Sequence, residues 1–220
     1  MKRIEALSKL TVGIDTLLDI GTDHGYLLID ALSNHHIKRG IAADINEQPL
    51  NNAKKNIESS GLSDKVSFAL SNGFLNIEDS FDGVAIAGMG MHLVKTILMQ
   101  PHKVPHKYIV SVHTHIDQFR EFLSENGFQI IDEVVVHERF YYILFVLVKN
   151  FQALTKEDAY LGPILKRKVE SISYYEHLLK LTTNLYAKVP NKRQKMLEVQ
   201  INWLKNAINS LKSSVVLSEE

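Results

Sequence analysis

The most concentrated chemistry of the chain lies in one short polar and glycine-rich segment, Asp19-Ile20-Gly21-Thr22-Asp23-His24-Gly25-Tyr26. The segment follows an apolar run at residues 16–20 and opens a helical pattern, and Asp44 ends the next apolar run 19 residues after Gly25. A glycine turn at a helix N-terminus, with an acid after the second strand, is the arrangement that holds a nucleotide and its ribose hydroxyls. We therefore expect a cofactor crevice here; a plain strand–turn–helix junction is the alternative.

The charge of this loop discriminates between nucleotide cofactors. A dinucleotide site places a pyrophosphate on a G-x-G-x-x-G turn, where a carboxylate would repel it. In this chain Asp23 occupies the second glycine position, and Asp19 adds a second acid. S-adenosylmethionine carries an ammonium and a sulfonium, which carboxylates attract. The loop therefore favours S-adenosylmethionine over NAD or FAD, and a NAD-dependent oxidoreductase is an alternative.

Two further loops follow predicted strands, at the strand ends where ligands bind in parallel sheets. Asn72-Gly73 could touch an adenine ring, and Ala87-Gly88-Met89-Gly90 allows close backbone approach beside one apolar side chain. Ordinary turns are the alternative for both loops. The expected cofactor-binding residues are Asp19, Gly21, Thr22, Asp23, His24, Gly25, Asp44, Ile45, Asn72, Gly73, Ala87, Gly88, Met89 and Gly90.

The first 150 residues alternate apolar, strand-like runs with helical patterns. Strands are predicted at residues 16–20, 40–44, 66–70, 83–87 and 108–112, and helices at 24–34, 47–60, 91–100 and 117–126. Such alternation predicts a mostly parallel sheet with helices on both faces. Residues 129–137 and 140–149 are separated by too few residues for a parallel crossover, so an antiparallel pair should end the sheet.

The pattern changes after Phe151. Apolar residues then recur with a 3.5-residue period over residues 165–189 and 197–215, with Pro190-Asn191 between them. This spacing predicts two helices of roughly 25 residues in an antiparallel, coiled-coil hairpin. We therefore expect two domains, residues 1–152 and 153–220. A packing or dimerisation device is an alternative role for the hairpin.

Charge is unevenly distributed along the chain. The net charge is zero, yet residues 1–150 carry 14 basic and 18 acidic side chains, whereas residues 151–220 carry 11 and 7. A lopsided basic excess on helices favours phosphate binding, and a solvated helix face is the alternative. The expected RNA-binding residues are Lys166, Arg167, Lys168, Lys188, Lys192, Arg193 and Lys195.

Composition excludes several classes of protein and site. An apolar content of 45% excludes wholesale disorder, and the absence of cysteine excludes disulfides, cysteine nucleophiles and thiolate metal sites. The longest apolar run, residues 140–148, is far shorter than the roughly 20 residues that a spanning helix needs. His113 and His115 could share a strand face, but no third ligand has a recognised spacing, so we expect no metal.

Six segments together resemble the bacterial TrmK family of tRNA (adenine-22-N1)-methyltransferases. They are residues 19–26, 43–46, 72–73, 86–90, 119–123 and 161–165. The resemblance implies an α/β, class I (Rossmann-like) S-adenosylmethionine-dependent methyltransferase domain with a C-terminal coiled-coil domain, acting on N1 of an adenine in the D-arm of tRNA. The chain departs from the family pattern at Met91, at Val112-His113-Thr114 and at Tyr141-Tyr142.

Methyl transfer to adenine N1 needs no general base, because this nitrogen already has a lone pair at neutral pH. We expect Tyr26, Met89 and His113 to position the target base, which must leave its pair to expose N1. Further expectations are a cytoplasmic monomer or weak homodimer, with tRNA as partner and no membrane contact. A non-catalytic RNA-binding protein with the same fold is the alternative.

Overall fold

The computed structural model describes residues 3–218, and the side chains of residues 3–214. The strands are Thr16–Ile20 (β1), Arg39–Asp44 (β2), Val66–Leu70 (β3), Gly83–Ile86 (β4), Lys107–Val112 (β5), Phe128–His137 (β6) and Tyr141–Lys149 (β7). The helices are Arg3–Leu10 (α1), Tyr26–Ser33 (α2), Glu47–Ser59 (α3), Met91–Leu98 (α4), Ile116–Glu125 (α5), Lys156–Leu161 (α6), Ile172–Tyr186 (α7) and Asn191–Ser218 (α8).

The seven strands form one sheet in the order β3-β2-β1-β4-β5-β7-β6. Strands β1 to β5 are parallel, and β7 runs antiparallel between β5 and β6. Val112 of β5 lies opposite Ile143 of β7, so the tip of the β6–β7 hairpin lies beyond the carboxyl end of β5. This topology confirms the predicted parallel sheet that ends in an antiparallel pair.

Helices cover both faces of the sheet because successive strand residues point to opposite sides. Leu17 of β1 belongs to the core that includes Leu28 of α2, whereas Leu18 belongs to the core that includes Val94 of α4. The second core continues into the C-terminal helices through Tyr175 of α7. The C-terminal helices therefore share a core with one face of the sheet.

The bounds of the first nine helices and strands after α1 lie within two residues of those predicted. The first predicted helix begins at Tyr26 rather than at residue 24, because Asp23 (φ 46°) and Gly25 (φ 72°) adopt left-handed backbone conformations. An α-helix cannot begin until the chain leaves that region. The displaced start leaves residues 21–25 as a curled loop at the end of β1.

The prediction of a single helix over residues 165–189 is wrong. Residues 165–167 and 169–171 form two 3₁₀ turns, and α7 begins only at Ile172. The Glu133 carboxylate accepts hydrogen bonds from the amides of Ile164 (3.0 Å) and Leu165 (3.2 Å), and the Ser171 hydroxyl donates to the Leu165 carbonyl (2.6 Å). The Leu165 carbonyl is a group that a continuous helix would pair internally, and here the Ser171 hydroxyl takes it instead.

Helices α7 and α8 pack together as the predicted hairpin, with residues 187–190 between them. Leu197, Leu204, Ile208 and Leu211 of the predicted seam are buried, and the side chain of Val215 lies outside the described ones. Coiled-coil packing in the strict sense stays a prediction. Within residues 3–218, no helix combines the length and the apolar character that crossing a membrane requires.

A buried ion pair joins the sheet to the C-terminal helices. The Arg120 Nε donates to Glu133 Oε1 at 2.8 Å, and both side chains are fully buried. Arg120 Nη1 also donates to the carbonyls of Ala159 and Tyr160, both at 3.0 Å. Because Glu133 accepts from the amides of residues 164 and 165 as well, this pair holds α5, β6 and α6 in one arrangement.

Candidate active site

The loop after β1 folds back on β2. Gly21 has a φ of 78°, a conformation that favours glycine, and its amide donates to the Ala43 carbonyl at 2.8 Å. The Thr22 amide donates to the same carbonyl at 3.1 Å. These bonds place the loop beside the carboxyl end of β2, where Asp44 lies.

Met89, from the loop after β4, lies over Gly21. A Cβ atom at position 21 would come within 2.1 Å of the Met89 Cε atom. The loops after β1 and β4 therefore meet at this point, and the end of the flexible Met89 side chain would have to move to admit a side chain at position 21. The positive φ is the stronger reason for glycine here.

The loops after β1, β2 and β4 enclose a cleft of about 540 Å³, which we call the glycine cleft. Sequence-predicted residues that line it are Asp19, Gly21, Thr22, Asp23, His24, Tyr26, Asp44, Ala87, Gly88 and Met89. Sequence reasoning missed Arg3, Ile4, Leu7, Leu27, Asn46 and Pro49, which also line it. The α1 residues among them come from a helix that carries no recognisable motif, so no sequence signal pointed to them.

Three carboxylates, Asp19, Asp23 and Asp44, line the glycine cleft together with Arg3, and two of them stand at the ends of neighbouring strands. Asp19 is 5% exposed, and burial raises the pKa of its carboxyl from 3.8 to about 6; the Asp44 carboxylate adds to this rise, whereas the Thr22 side chain opposes it. Asp44 is half-buried, and its Oδ1 accepts from the Asn46 amide at 2.9 Å. A cationic ligand between these carboxylates would favour the ionised form of Asp19.

The Thr22 hydroxyl lies beside Asp19, near enough to lower the pKa of that carboxyl, but outside ordinary hydrogen-bond geometry. The Thr22 hydroxyl oxygen is buried and meets no hydrogen-bond partner within ordinary geometry among the described residues. Buried hydroxyls are seldom left in this state in folded proteins. Three acids, a buried hydroxyl and a curled backbone fit a ligand that carries hydroxyl and cationic groups, as S-adenosylmethionine does.

Five predicted cofactor residues do not line the glycine cleft: Gly25, Ile45, Asn72, Gly73 and Gly90. A Cβ at Gly25 would lie 3.3 Å from the Ala53 Cβ, so this glycine lets α3 pack closely against the loop. The Asn72-Gly73 turn is fixed by Gln100, whose Nε2 donates to the Asn72 carbonyl at 3.1 Å. Packing and hydrogen bonding within the protein are thus sufficient to explain the glycine at position 25 and the turn at residues 72–73.

An aromatic pair stands at the rim of the glycine cleft. The rings of His24 and Tyr26 stack with centroids 5.3 Å apart, and Tyr26 is 54% exposed. The His24 Nε2 lies 3.4 Å from the Asp23 carboxylate. An exposed ring beside a cofactor-sized cleft offers a flat surface to a second planar ligand.

His113, the third residue expected to position the base, lies in a different cleft. This second cleft of about 590 Å³, which we call the aromatic cleft, also includes His137, Phe140, Tyr141 and His177. The structure therefore brings Tyr26 and Met89 together and places His113 apart from them.

The predicted RNA-binding cations fall into two groups. Lys166 pairs with Asp158 at 2.8 Å, and Lys168 pairs with Asp132 at 2.5 Å. The others are exposed and form no ion pair with any described residue: Arg167, Lys188, Lys192, Arg193 and Lys195. Four of these free cations cluster around the turn between α7 and α8. Within residues 3–218, no group of three or more His, Asp or Glu side chains is arranged to hold a metal ion.

Comparison with known proteins identifies the family. The model of the tRNA (adenine(22)-N(1))-methyltransferase family, TrmK, matches residues 17–213. The chain belongs to the TrmK family. The match includes all three loops of the glycine cleft and most of the C-terminal helices, so the predicted resemblance is confirmed over nearly the whole chain.

Individual relatives agree with the TrmK assignment. The tRNA (adenine(22)-N(1))-methyltransferase of Bacillus subtilis is 33% identical over 141 residues, which are 62% of this chain and 59% of that protein. This match thus spans less than two thirds of the relative's own length. The solved structure of M. capricolum TrmK with S-adenosyl-homocysteine has a TM-score of 0.81 and 29% identity, and it covers 96% of this chain and 98% of its own.

A Streptococcus pneumoniae protein, Sp1610, was solved in complex with S-adenosyl-L-methionine. It has a TM-score of 0.81 and 28% identity and covers 94% of this chain and 99% of its own. The predicted α/β, Rossmann-like methyltransferase fold is thereby confirmed for this TrmK family member. The roles of its individual residues stay predictions.

Proposed function

We propose that this chain is a tRNA (adenine-22-N1)-methyltransferase that uses S-adenosylmethionine. The observation that carries the proposal is the glycine cleft, in which Asp19 and Asp44 stand at the ends of adjacent parallel strands in a TrmK-family fold. The M. capricolum relative, which matches almost end to end, holds the cofactor product S-adenosyl-homocysteine. A dinucleotide is disfavoured because Asp23 occupies the pyrophosphate position of the loop.

Each acid has a distinct proposed part in holding the cofactor. Asp44 ends β2 and is half-buried, the position from which a carboxylate accepts hydrogen bonds from ribose hydroxyls. Asp19 is buried beneath the loop, where its charge favours the cationic part of the ligand. The buried Thr22 hydroxyl, beside Asp19, is a further polar group available to a ligand in the same cleft. When bound, the cofactor supplies the electrophilic methyl group.

The chain's own contribution to the chemistry is alignment and exclusion of water. Adenine N1 is the nucleophile, and it carries no proton that must be removed before the transfer. Positioning alone can therefore accelerate the reaction, since a well-aligned displacement avoids much of the entropic barrier. Met89 closes the cleft from the β4 side, and Tyr26 at its rim can stack on the base. The base must be extruded first, because N1 lies on the Watson–Crick edge.

The C-terminal helices are proposed to hold the tRNA. In this proposal, residues 1–152 form the domain that binds the cofactor, and residues 153–220 form the domain that binds RNA. The exposed cations at the α7–α8 turn, unpaired among the described residues, supply the contacts to phosphate. A tRNA substrate places the protein in the cytoplasm. The proposed solution state is a monomer or weak homodimer.

A methyl-transfer assay tests the proposed function. Unmodified tRNA is incubated with labelled S-adenosylmethionine, and the modified nucleotide is mapped by reverse-transcription stops, since N1-methyladenine blocks base pairing. We expect label at adenine 22, and none in a matched transcript that carries guanine at that position. Cofactor binding by calorimetry without label transfer would instead favour a non-catalytic RNA-binding protein. No heat with S-adenosylmethionine would contradict the cofactor assignment itself.

A further inference from the structure

The aromatic cleft is built from segments that no motif connects. Its walls come from the loop after β5 (His113), from the tip of the β6–β7 hairpin (His137, Arg139, Phe140 and Tyr141), and from α7 (His177). Because β7 is antiparallel to β5, the hairpin tip lies at the edge of the sheet where β1 to β5 end. The aromatic cleft and the glycine cleft therefore open on the same edge.

Flat rings dominate the aromatic cleft. The rings of His137 and Tyr141 stack with centroids 4.1 Å apart and an interplanar angle of 15°, and the His177 ring lies 5.0 Å from that of Tyr141. Phe140 is 57% exposed, with the Arg139 guanidinium 5.4 Å from its ring centroid. Exposed rings beside a guanidinium are the surface on which proteins stack single-stranded bases.

The charged groups around this cleft are of mixed sign. Arg139 is exposed at its mouth, and among the described lining residues Asp117 is the carboxylate. Glu138, at the same hairpin tip, already accepts a hydrogen bond from the Arg3 amide at 2.9 Å. The cleft thus offers exposed rings and one guanidinium beside the carboxylates of Asp117 and Glu138, so the rings rather than a net positive charge are what it presents to RNA.

Three side chains connect the two clefts. The Arg3 guanidinium, which lines the glycine cleft, lies 4.6 Å from the ring centroid of Tyr142. The Tyr142 ring lies 6.0 Å from that of His113, which lines the aromatic cleft. Arg3, Tyr142 and His113 therefore form a chain of neighbouring side chains from one cleft to the other.

We infer that the aromatic cleft is a base-stacking subsite for an unpaired nucleotide adjacent to the methylated adenine of the tRNA. This inference rests on the proposed function. When the target adenine is extruded, the nucleotides next to it in the tRNA lose a base on which they stacked. An aromatic surface next to the glycine cleft can replace that base as a stacking partner. The subsite would act on tRNA affinity and on the register of the target, and it would leave cofactor binding unchanged.

Phe140→Ala tests the subsite, with Phe151→Ala as the matched control. Phe151 is 74% exposed and does not line the aromatic cleft, so its removal deletes an equal ring from elsewhere on the surface. Loss of one base–aromatic stack weakens binding roughly fivefold or more. We expect Phe140→Ala to raise the KM for tRNA by that factor, with the Kd for S-adenosylmethionine unchanged, and Phe151→Ala to match the wild type.

A second pair of variants separates stacking from packing. Tyr141→Phe keeps the ring and removes a hydroxyl that donates to the Ser173 carbonyl at 3.3 Å, whereas Tyr141→Leu removes the ring. We expect the Phe variant to retain tRNA affinity and the Leu variant to lose it, with both retaining cofactor affinity as proof of folding.

The failure of this inference differs from the failure of the proposed function. A wild-type protein that methylates tRNA, together with Phe140→Ala and Tyr141→Leu variants whose KM for tRNA is unchanged, would overturn the subsite alone. A wild-type protein that methylates no tRNA would overturn the proposed function. In that case the adjacency to a methylated adenine falls as well, and direct measurement of tRNA binding decides only whether the aromatic cleft stacks RNA bases: weaker binding by Phe140→Ala supports stacking, and equal binding overturns it.

Discussion

The two clefts at the carboxyl edge of the sheet are built in different ways. The glycine cleft is formed largely by short loops after neighbouring parallel strands, with three acids and left-handed backbone at Gly21 and Asp23. The aromatic cleft is formed by side chains from segments as far apart as His113 and His177. The position of the glycine cleft therefore follows from the order of the strands in the sheet. The position of the aromatic cleft also depends on how the C-terminal helices pack on the sheet. Variants at the junction should affect the aromatic cleft most.

Arg120→Ala should produce the largest effect, on the stability of this junction. It leaves the Glu133 carboxylate buried without its cation, and removing one partner of a buried pair costs about 3–5 kcal/mol. Urea unfolding should show this loss in the free energy of unfolding. Where enough folded protein remains, tRNA affinity should fall more than cofactor affinity.

Lys38→Ala is the control for Arg120→Ala. Lys38 pairs with Asp15 at 2.9 Å, but both side chains are well exposed. Exposed pairs contribute roughly 0–1 kcal/mol, so its unfolding midpoint should stay near that of the wild type. An equal loss in the free energy of unfolding in the two variants would show that the buried pair stabilises the protein no more than an exposed pair does.

Asp19→Asn should stabilise the protein while weakening cofactor binding. Burial raises the pKa of the Asp19 carboxyl from 3.8 to about 6, so above pH 6 the folded state holds an ionised carboxylate that it disfavours. At about 1.4 kcal/mol for each pKa unit, the neutral amide should add on the order of 3 kcal/mol to the free energy of unfolding at pH 7.5.

The sign of this effect is testable through its pH dependence. The folded protein binds the Asp19 proton more tightly than the unfolded chain, so this group lowers stability as pH rises from about 4 to 6. The excess in the free energy of unfolding of Asp19→Asn over the wild type should therefore be largest above pH 6 and vanish near pH 4. Thermal unfolding across this range measures it, and a constant difference at all pH values would contradict the assignment.

Asp44→Ala should weaken S-adenosylmethionine binding with little effect on folding. Hydrogen bonds to a charged group contribute about 1.5–3 kcal/mol, which corresponds to roughly a 10- to 150-fold rise in the Kd. Calorimetry measures the change, and Asp64→Ala, an exposed acid outside the glycine cleft, is the control. Unchanged affinity in Asp44→Ala would refute its role, and unchanged tRNA affinity would support the separation of the two clefts.

The comparison of the clefts also explains what the sequence could predict. Ten of the residues that line the glycine cleft were predicted, because a strand, a glycine turn and an acid follow one another locally. His113 was predicted as a base-positioning residue, but its neighbours His137 and His177 were not, since only tertiary packing brings them together. The start of α7 was missed for a related reason, as residues 164–168 are held to β6 by Glu133, which accepts from the amides at positions 164 and 165, and by the Lys168–Asp132 ion pair.

Removing a single surface lysine should have the smallest effect of all, a change in how tRNA affinity depends on salt concentration. Lys166 and Lys168 are paired with Asp158 and Asp132, so binding to a phosphate would first require breaking an ion pair. Lys192 and Lys195, at the α7–α8 turn, are exposed without such a pair among the described residues. Two double variants, each lacking two lysines, can therefore be compared: one lacks the paired lysines and the other lacks the unpaired ones.

We expect Lys192→Ala with Lys195→Ala to weaken tRNA binding and to reduce the slope of log K against log salt by about 0.9 for each phosphate that the protein no longer neutralises. Lys166→Ala with Lys168→Ala should change that slope by less, because these cations are already neutralised within the protein. Filter binding between about 50 and 200 mM salt, a range in which such effects are measurable, gives both slopes. The opposite ranking would place the RNA along residues 166–168, beside the junction, instead of at the turn of the helical hairpin.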